Sequence, residues 1–291
     1  MALIYHYCSP QTFLQIIERK CIWLSSTNNM NDSTEGQWYI NIVKRVLAED
    51  ESNLDKEWRN IAMSGFTKTP KPNYIACFSK NEDSLSQWRS YAEDGFGVAI
   101  GFEDGDFEGF TFSTIKDAFG GLPILIDIEI KDVEYKDYDY YKKLIIELAD
   151  ECINKIHSSE GNDVFSEKMS SAAIFNGMCE RAAIAIKNPA FIEEQERRLI
   201  FNPDYCALKL QELPSSRKKD LSNAMKEFNG VKHRISNGFL TSHFEFPILA
   251  STVKRIMLGP KNKFTDSDLR DFLLLNDIGD VEVKRSLATY R

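Results

Sequence analysis

The sequence predicts an α+β protein: one central mixed or antiparallel β core carrying a helical insertion. Two observations predict it. Short runs rich in aromatic and β-branched residues are scattered from residue 3 to residue 284, as a sheet drawn from the whole chain requires. Between them, 138–158 and 164–187 keep helical periodicity with many alanines and charges, and mark an insertion at about 136–188. No internal repeat or low-complexity tract divides the chain, so residues 1–291 are taken as a single domain.

The elements follow in order. Leu3 to Tyr7 reads as a strand. Ser9-Pro10 is a helix start, with serine as N-cap and proline at the first helical position. Phe13, Ile16 and Ile17 keep helical spacing up to Lys20, and Cys21 to Leu24 is a second strand. The polar run from Ser25 to Glu35 is a loop, in which Asn31, Asp32, Ser33 and Glu35 form a capping arrangement or border a pocket. Trp38, Ile42 and Val46 share one face of a helix over about 35–49. A charged segment at 50–72 leads to a third strand at Tyr74 to Phe78. Leu122 to Glu134 reads as strand, turn and strand, and Phe191 to Phe201 as a strand after the stop at Asn188-Pro189. The charged run at 214–219 is an exposed loop. Val231 to Phe246 is extended, Val253 to Leu258 is a strand, and a helix near 265–275 precedes a last strand at 281–284.

Composition narrows the function classes. A net charge of −8 argues against a broad nucleic-acid or membrane footprint, while leaving room for a local basic pocket. None of the six cysteines forms a C-x-x-C pair, which speaks against zinc, and their apolar surroundings fit a reducing cytosol. No signal peptide is visible and no apolar run approaches a membrane span, so a cytoplasmic protein is expected, with no membrane partner and no metal.

Residues 84–102 organise the chemistry. They place Gln87, Trp88, Arg89 and Tyr91 within one or two helical turns, break at Asp94-Gly95, and enter Val98-Ala99-Ile100 as a buried strand. An indole or phenol can stack on a planar ring and a guanidinium can fork onto a phosphate, so this helix reads as a pocket wall. It reads equally as a helix with Trp88 and Tyr91 in the core and Arg89 in solvent. Asp94-Gly95-Phe96-Gly97 precedes a strand instead of opening a helix, so it is not a dinucleotide fingerprint.

A second candidate is His6-Tyr7, whose side chains face opposite ways on a strand. The histidine can hold a ribose hydroxyl and the tyrosine can stack, or both are core residues. The third is Glu194-Gln195-Glu196-Arg197-Arg198, where alternation puts Glu194, Glu196 and Arg198 on one face. Two carboxylates so close need a wet face or a cationic partner, and Arg198 supplies one. An exposed edge strand with a surface ion pair is the alternative.

Several of these short motifs occur together: Ile4-Tyr5-His6-Tyr7, Trp23-Leu24-Ser25, Met30-Asn31-Asp32 with Glu35, and Cys77-Phe78-Ser79. Ser86-Gln87-Trp88, Tyr91-Ala92, Gly97 to Phe102, and Glu194, Glu196, Arg198 and Leu199 complete the set. In this order the chain resembles the bacterial family known as domain of unknown function 2971. An early His-Tyr strand and a late Glu-x-Glu strand also resemble the ADP-ribosyltransferase fold. That resemblance implies NAD as substrate, with His6 on the ribose and Tyr7 or Tyr91 on the nicotinamide. Glu196 would then be catalytic, Glu194 would orient the acceptor, and Ser79 would shape the middle of the pocket. Gln87, Trp88, Arg89 and Arg198 would complete the cofactor site. It further implies a toxin or anti-phage effector acting on a nucleic-acid or protein acceptor, with an antitoxin or effector-complex partner. Two other readings stand beside it: a non-catalytic nucleotide-sensing or protein-binding module, and a nuclease using the Glu-x-Glu carboxylates with a metal.

Overall fold

The computed structural model describes residues 3–27, 37–49, 54–66, 73–107, 111–112, 124–125, 128–154, 164–201, 232–236, 238–279 and 281–289. The expected capping group at 31–35 and the charged loop at 214–219 lie outside them. The chain divides into two compact units, one of 1–29, 73–132 and 193–291, the other of 30–72 and 133–192.

The first unit is built on a mixed sheet, and the protein is α+β. Its main strands are β1 (Leu3–Cys8), β2 (Cys21–Ser26), β3 (Tyr74–Ser79), β4 (Val98–Glu103), β7 (Ile128–Asp132) and β8 (Glu196–Phe201). They continue with β9 (Lys232–Ser236), β10 (Phe239–Pro247), β11 (Val253–Leu258) and β12 (Glu282–Arg285). β5 (Thr111–Phe112) and β6 (Ile124–Leu125) form a separate small ladder. The order is β12-β11-β4-β1-β3-β2-β10-β9, with β8 on β3 and β7 on β8. Among the described strands, only β11 and β12 pair in parallel.

β3 has three partners but only two edges. β8 takes one edge along Tyr74 to Ser79. β1 and β2 must share the other, and they do so at opposite ends: Tyr5 faces Ser79, while Ser25 and Ser26 face Ile75 and Tyr74. The sheet therefore splits into two wings that diverge beside Cys77. His6 sits at that fork, and its Nδ1 donates to the Cys77 carbonyl at 2.9 Å.

The split sheet has a core face and a polar face. Ile4, Cys8, Ala76, Phe78, Ile100, Phe102, Leu199, Phe244, Phe246 and Ile256 form the core face. Among the described residues, helices α1 (Pro10–Arg19) and, later in the chain, α7 (Asp266–Leu275) cover it. α1 starts as expected: Ser9 Oγ accepts from Thr12 N at 3.0 Å, and Pro10 is its first residue. The opposite face carries α4 (Leu85–Tyr91), whose Trp88 packs with Tyr5, Tyr7, Ala99 and Met257.

Among the described residues, the second unit is a cluster of four helices, α2 (Gln37–Ala48), α3 (Lys56–Gly65), α5 (Tyr138–Asn154) and α6 (Val164–Ala183). Val43, Val46, Trp58, Ile145, Ala149, Phe175 and Cys179 meet in its core. Trp58 Nε1 donates to Ser171 Oγ at 3.1 Å, and that hydroxyl donates to the Cys152 carbonyl at 2.7 Å, so both buried groups are satisfied. The sequence reading gives an insertion at about 136–188; the helical unit draws on 30–72 as well.

Candidate functional site

Directly opposed residues of an antiparallel pair project from the same face of a sheet. Ser79 opposes both Tyr5 and Glu196, and Cys77 opposes Arg198. Tyr5, Cys77, Ser79, Glu196 and Arg198 therefore share the polar face, the face that α4 covers. Lys131 opposes Arg198 across β7 and extends this strip; its Nζ pairs with Glu129 at 2.9 Å.

The centre of the strip is a buried ion pair. Arg198 Nε and Nη2 meet Glu196 Oε1 and Oε2 at 2.8 and 2.9 Å, with Arg198 2% and Glu196 6% exposed. This is the pairing that strand alternation predicts. A fork-to-fork geometry offsets part of the cost of desolvating two charges.

Glu194 is placed differently from the sequence reading. The strand expected over 191–201 begins only at Glu196, because Pro189–Glu194 forms a 3₁₀ turn and Gln195 adopts a left-handed backbone, with φ of 44°. That kink swings Glu194 out of the strand ladder. Ser79 Oγ then donates to the Glu194 carbonyl at 2.7 Å and accepts from Asn81 N at 3.1 Å, so the serine positions this turn. The Glu194 carboxylate, half-buried, accepts from the Tyr91 hydroxyl at 3.2 Å.

α4 presents different residues in different directions. Gln87 and Tyr91 are one turn apart and share a helix face, as i and i+4 do. Tyr91 reaches Glu194, so that face looks toward the β3–β8 strip. Gln87 is buried and Tyr91 is 41% exposed. Arg89 lies about 200° around the helix from Gln87 and is exposed, which points it away from the strip.

Four of the expected placements change. Tyr7 is buried, packs edge-on against Trp88 at 4.7 Å, donates to the Asn81 carbonyl at 2.8 Å and accepts from Ser84 N at 3.0 Å. Burial raises the pKa of its hydroxyl. Trp88 is fully buried, and its Nε1 donates to Asp83 Oδ1 at 2.7 Å. Both rings are therefore packing residues with satisfied polar atoms, and neither offers a face to a ligand. Arg89 points elsewhere. His6 lies on the core face: its ring is 5.7 Å from Phe78, a core residue, while the neighbouring Tyr5 and Tyr7 look the other way. His6 and Glu196 thus stand on opposite sides of the sheet and do not share a cleft. Burial lowers the His6 pKa, with the Cys77 carbonyl opposing.

The glycine-rich turn is structural. Gly95 and Gly97 N–H groups donate to the Ala92 carbonyl at 3.0 and 2.9 Å. The Gly97 carbonyl accepts from Gly259 N and Asn262 Nδ2. A side chain at Gly97 would fall 2.1 Å from the Cys8 carbonyl, so only glycine fits this close approach. Sequence reasoning missed Lys131 and Glu129 as members of the strip, since nothing in their short run marks the strand pairing that brings them beside Arg198. It also passed over His243, which packs on Trp23 at 4.4 Å on the other wing. Among the described residues, no three His, Cys, Asp or Glu side chains gather as metal ligands would.

Fold and site together define a mixed α/β protein with a polar patch formed by one short helix and a buried ion pair. Residues 87–199 match the model of the family described as "Protein of unknown function (DUF2971)", which bears out the resemblance read from the sequence over that stretch. The stretch holds Gln87, Trp88, Arg89, Tyr91, Glu194, Glu196 and Arg198; His6, Tyr7 and Ser79 precede it. No curated protein and no solved structure gives a significant match to the chain. No helix among the described residues is long and apolar enough to cross a membrane.

Proposed function

We propose that the α4–β3–β8 face is a recognition site for a nucleoside-bearing ligand, and that the chain acts as a sensing or binding module; NAD, with a nucleoside at each end, belongs to that class. One observation carries the reading: Tyr91, partly exposed, and the Glu194 carboxylate are hydrogen-bonded to each other beside Gln87. A phenol ring can stack on a base, and a carboxylate can accept from ribose hydroxyls. The charges beneath are already matched, Arg198 by Glu196 and Lys131 by Glu129, so the face suits a neutral polar group better than an additional anion.

ADP-ribosyl transfer is the second reading, in an altered form. Glu196 is committed to Arg198, so Glu194 is the carboxylate that could stabilise positive charge developing at a ribose C1′. Calorimetric titration with NAD and incubation of labelled NAD with cell extract separate the two. The binding reading expects heat on titration, weakened about tenfold or more by Tyr91→Ala, and no label on any acceptor. Label transfer by the wild type that Glu194→Gln abolishes would replace it with the transferase. A wild-type protein that binds neither NAD nor adenosine refutes the recognition reading.

A further inference from the structure

We propose that Gln87 selects the ligand by pairing its amide N–H and C=O with a planar edge that carries a hydrogen-bond donor and acceptor side by side, as adenine does. The inference rests on the recognition reading above and names the class of ligand within it.

Gln87 is 7% exposed, yet its side-chain amide has no hydrogen-bond partner among the described residues. It is not among the sealed, unsatisfied atoms either, so the amide head keeps contact with solvent while its stem is buried. That combination is costly without a purpose. An amide so nearly enclosed gives up most of its water and recovers a full set of hydrogen bonds only when a partner arrives, whereas leucine or methionine would fill the same volume without loss. The neighbouring polar groups do not behave this way. Trp88 Nε1 reaches Asp83, the Tyr7 hydroxyl is bonded twice, and Ser79 holds the Glu194 turn.

The position fits the role. Gln87 lies one turn before Tyr91 on the same helix face, so a ring stacked on Tyr91 would present its edge toward Gln87. An amide offers one donor and one acceptor in a plane, the geometry with which glutamine reads adenine in a bidentate manner. A ligand whose edge lacks the donor would leave one half of the amide unpaired in a buried site, and that is a strong basis for discrimination.

Calorimetry on the full chain with adenosine and with purine riboside, which lacks only the exocyclic amino group, tests this. The wild type should bind adenosine at least about tenfold more tightly than purine riboside. Gln87→Met should remove that difference by weakening adenosine more than purine riboside, while its melting temperature does not fall. Gln87→Leu, which likewise lacks both halves of the amide, should act the same way and stands in if Gln87→Met does not fold. Equal binding of both nucleosides by the wild type, or an undiminished preference in both variants, overturns the inference and leaves the recognition reading intact. A wild type that binds neither nucleoside overturns the inference, and the recognition reading falls with it only if NAD is not bound either.

Discussion

Arg198 and Glu196 form a matched pair with almost no contact with water, and the consequence is asymmetric. Removing one partner strands a charge in the interior, whereas removing both leaves only apolar surface to pack. Arg198→Met should therefore cost about 3–5 kcal/mol, and Glu196→Leu combined with Arg198→Met should recover most of it. Equilibrium urea unfolding of the single and double variants measures both. Part of this was legible in the sequence, since strand alternation alone puts Glu196 and Arg198 on one face. The roles of Tyr7 and Trp88 were not. An aromatic residue on a strand or short helix has the same appearance whether it packs or stacks on a ligand. What decides here is where the hydroxyl and indole N–H find partners, in the 81–84 loop, and those contacts depend on the folded backbone.

At the scale of the element, the entry into β8 shows where sequence reasoning stops. Apolar and charged residues from 191 to 201 satisfy a strand pattern, and no glycine announces a break. The break comes from Gln195 in the left-handed region, where a side chain other than glycine or asparagine is disfavoured. Its carbonyl accepts from Lys80 N at 3.1 Å, which ties the turn to the end of β3. Gln195→Gly should stabilise the protein by about 0.5–1 kcal/mol and Gln195→Val should destabilise it by more, both read from thermal melts. The start of α1, by contrast, was legible to the residue, because a serine cap and a first-turn proline act within four positions of one another. Local chemistry was readable; the non-local packing of α2 and α3 with α5 and α6 was not, since nothing in 37–65 names its partner in space.

At the scale of the whole molecule, two histidines link stability to pH. Burial lowers the pKa of His6, and burial together with Arg234 lowers that of His243. His243 is 3% exposed, and its Nε2 stands 3.8 Å from Glu245 Oε1, beyond hydrogen-bonding distance. The unfolded chain takes up protons near the ordinary histidine value of about 6.5, while the folded chain resists until lower pH. The unfolded state thus binds more protons in that window, and stability falls as pH drops below about 6.5. Melting temperatures recorded between pH 7.5 and 5.5 should decline, and His243→Leu should flatten part of the decline.

The forked sheet also dictates when, during synthesis, the protein can close. Both early wings wait for late strands: β2 is completed by β10, and β4 by β11, each drawn from beyond residue 238. Until the ribosome has passed residue 258, two half-built edges stand open to any passing strand. The nascent chain is therefore most in need of a chaperone between the synthesis of β4, which ends at Glu103, and that of β11, which ends at Leu258.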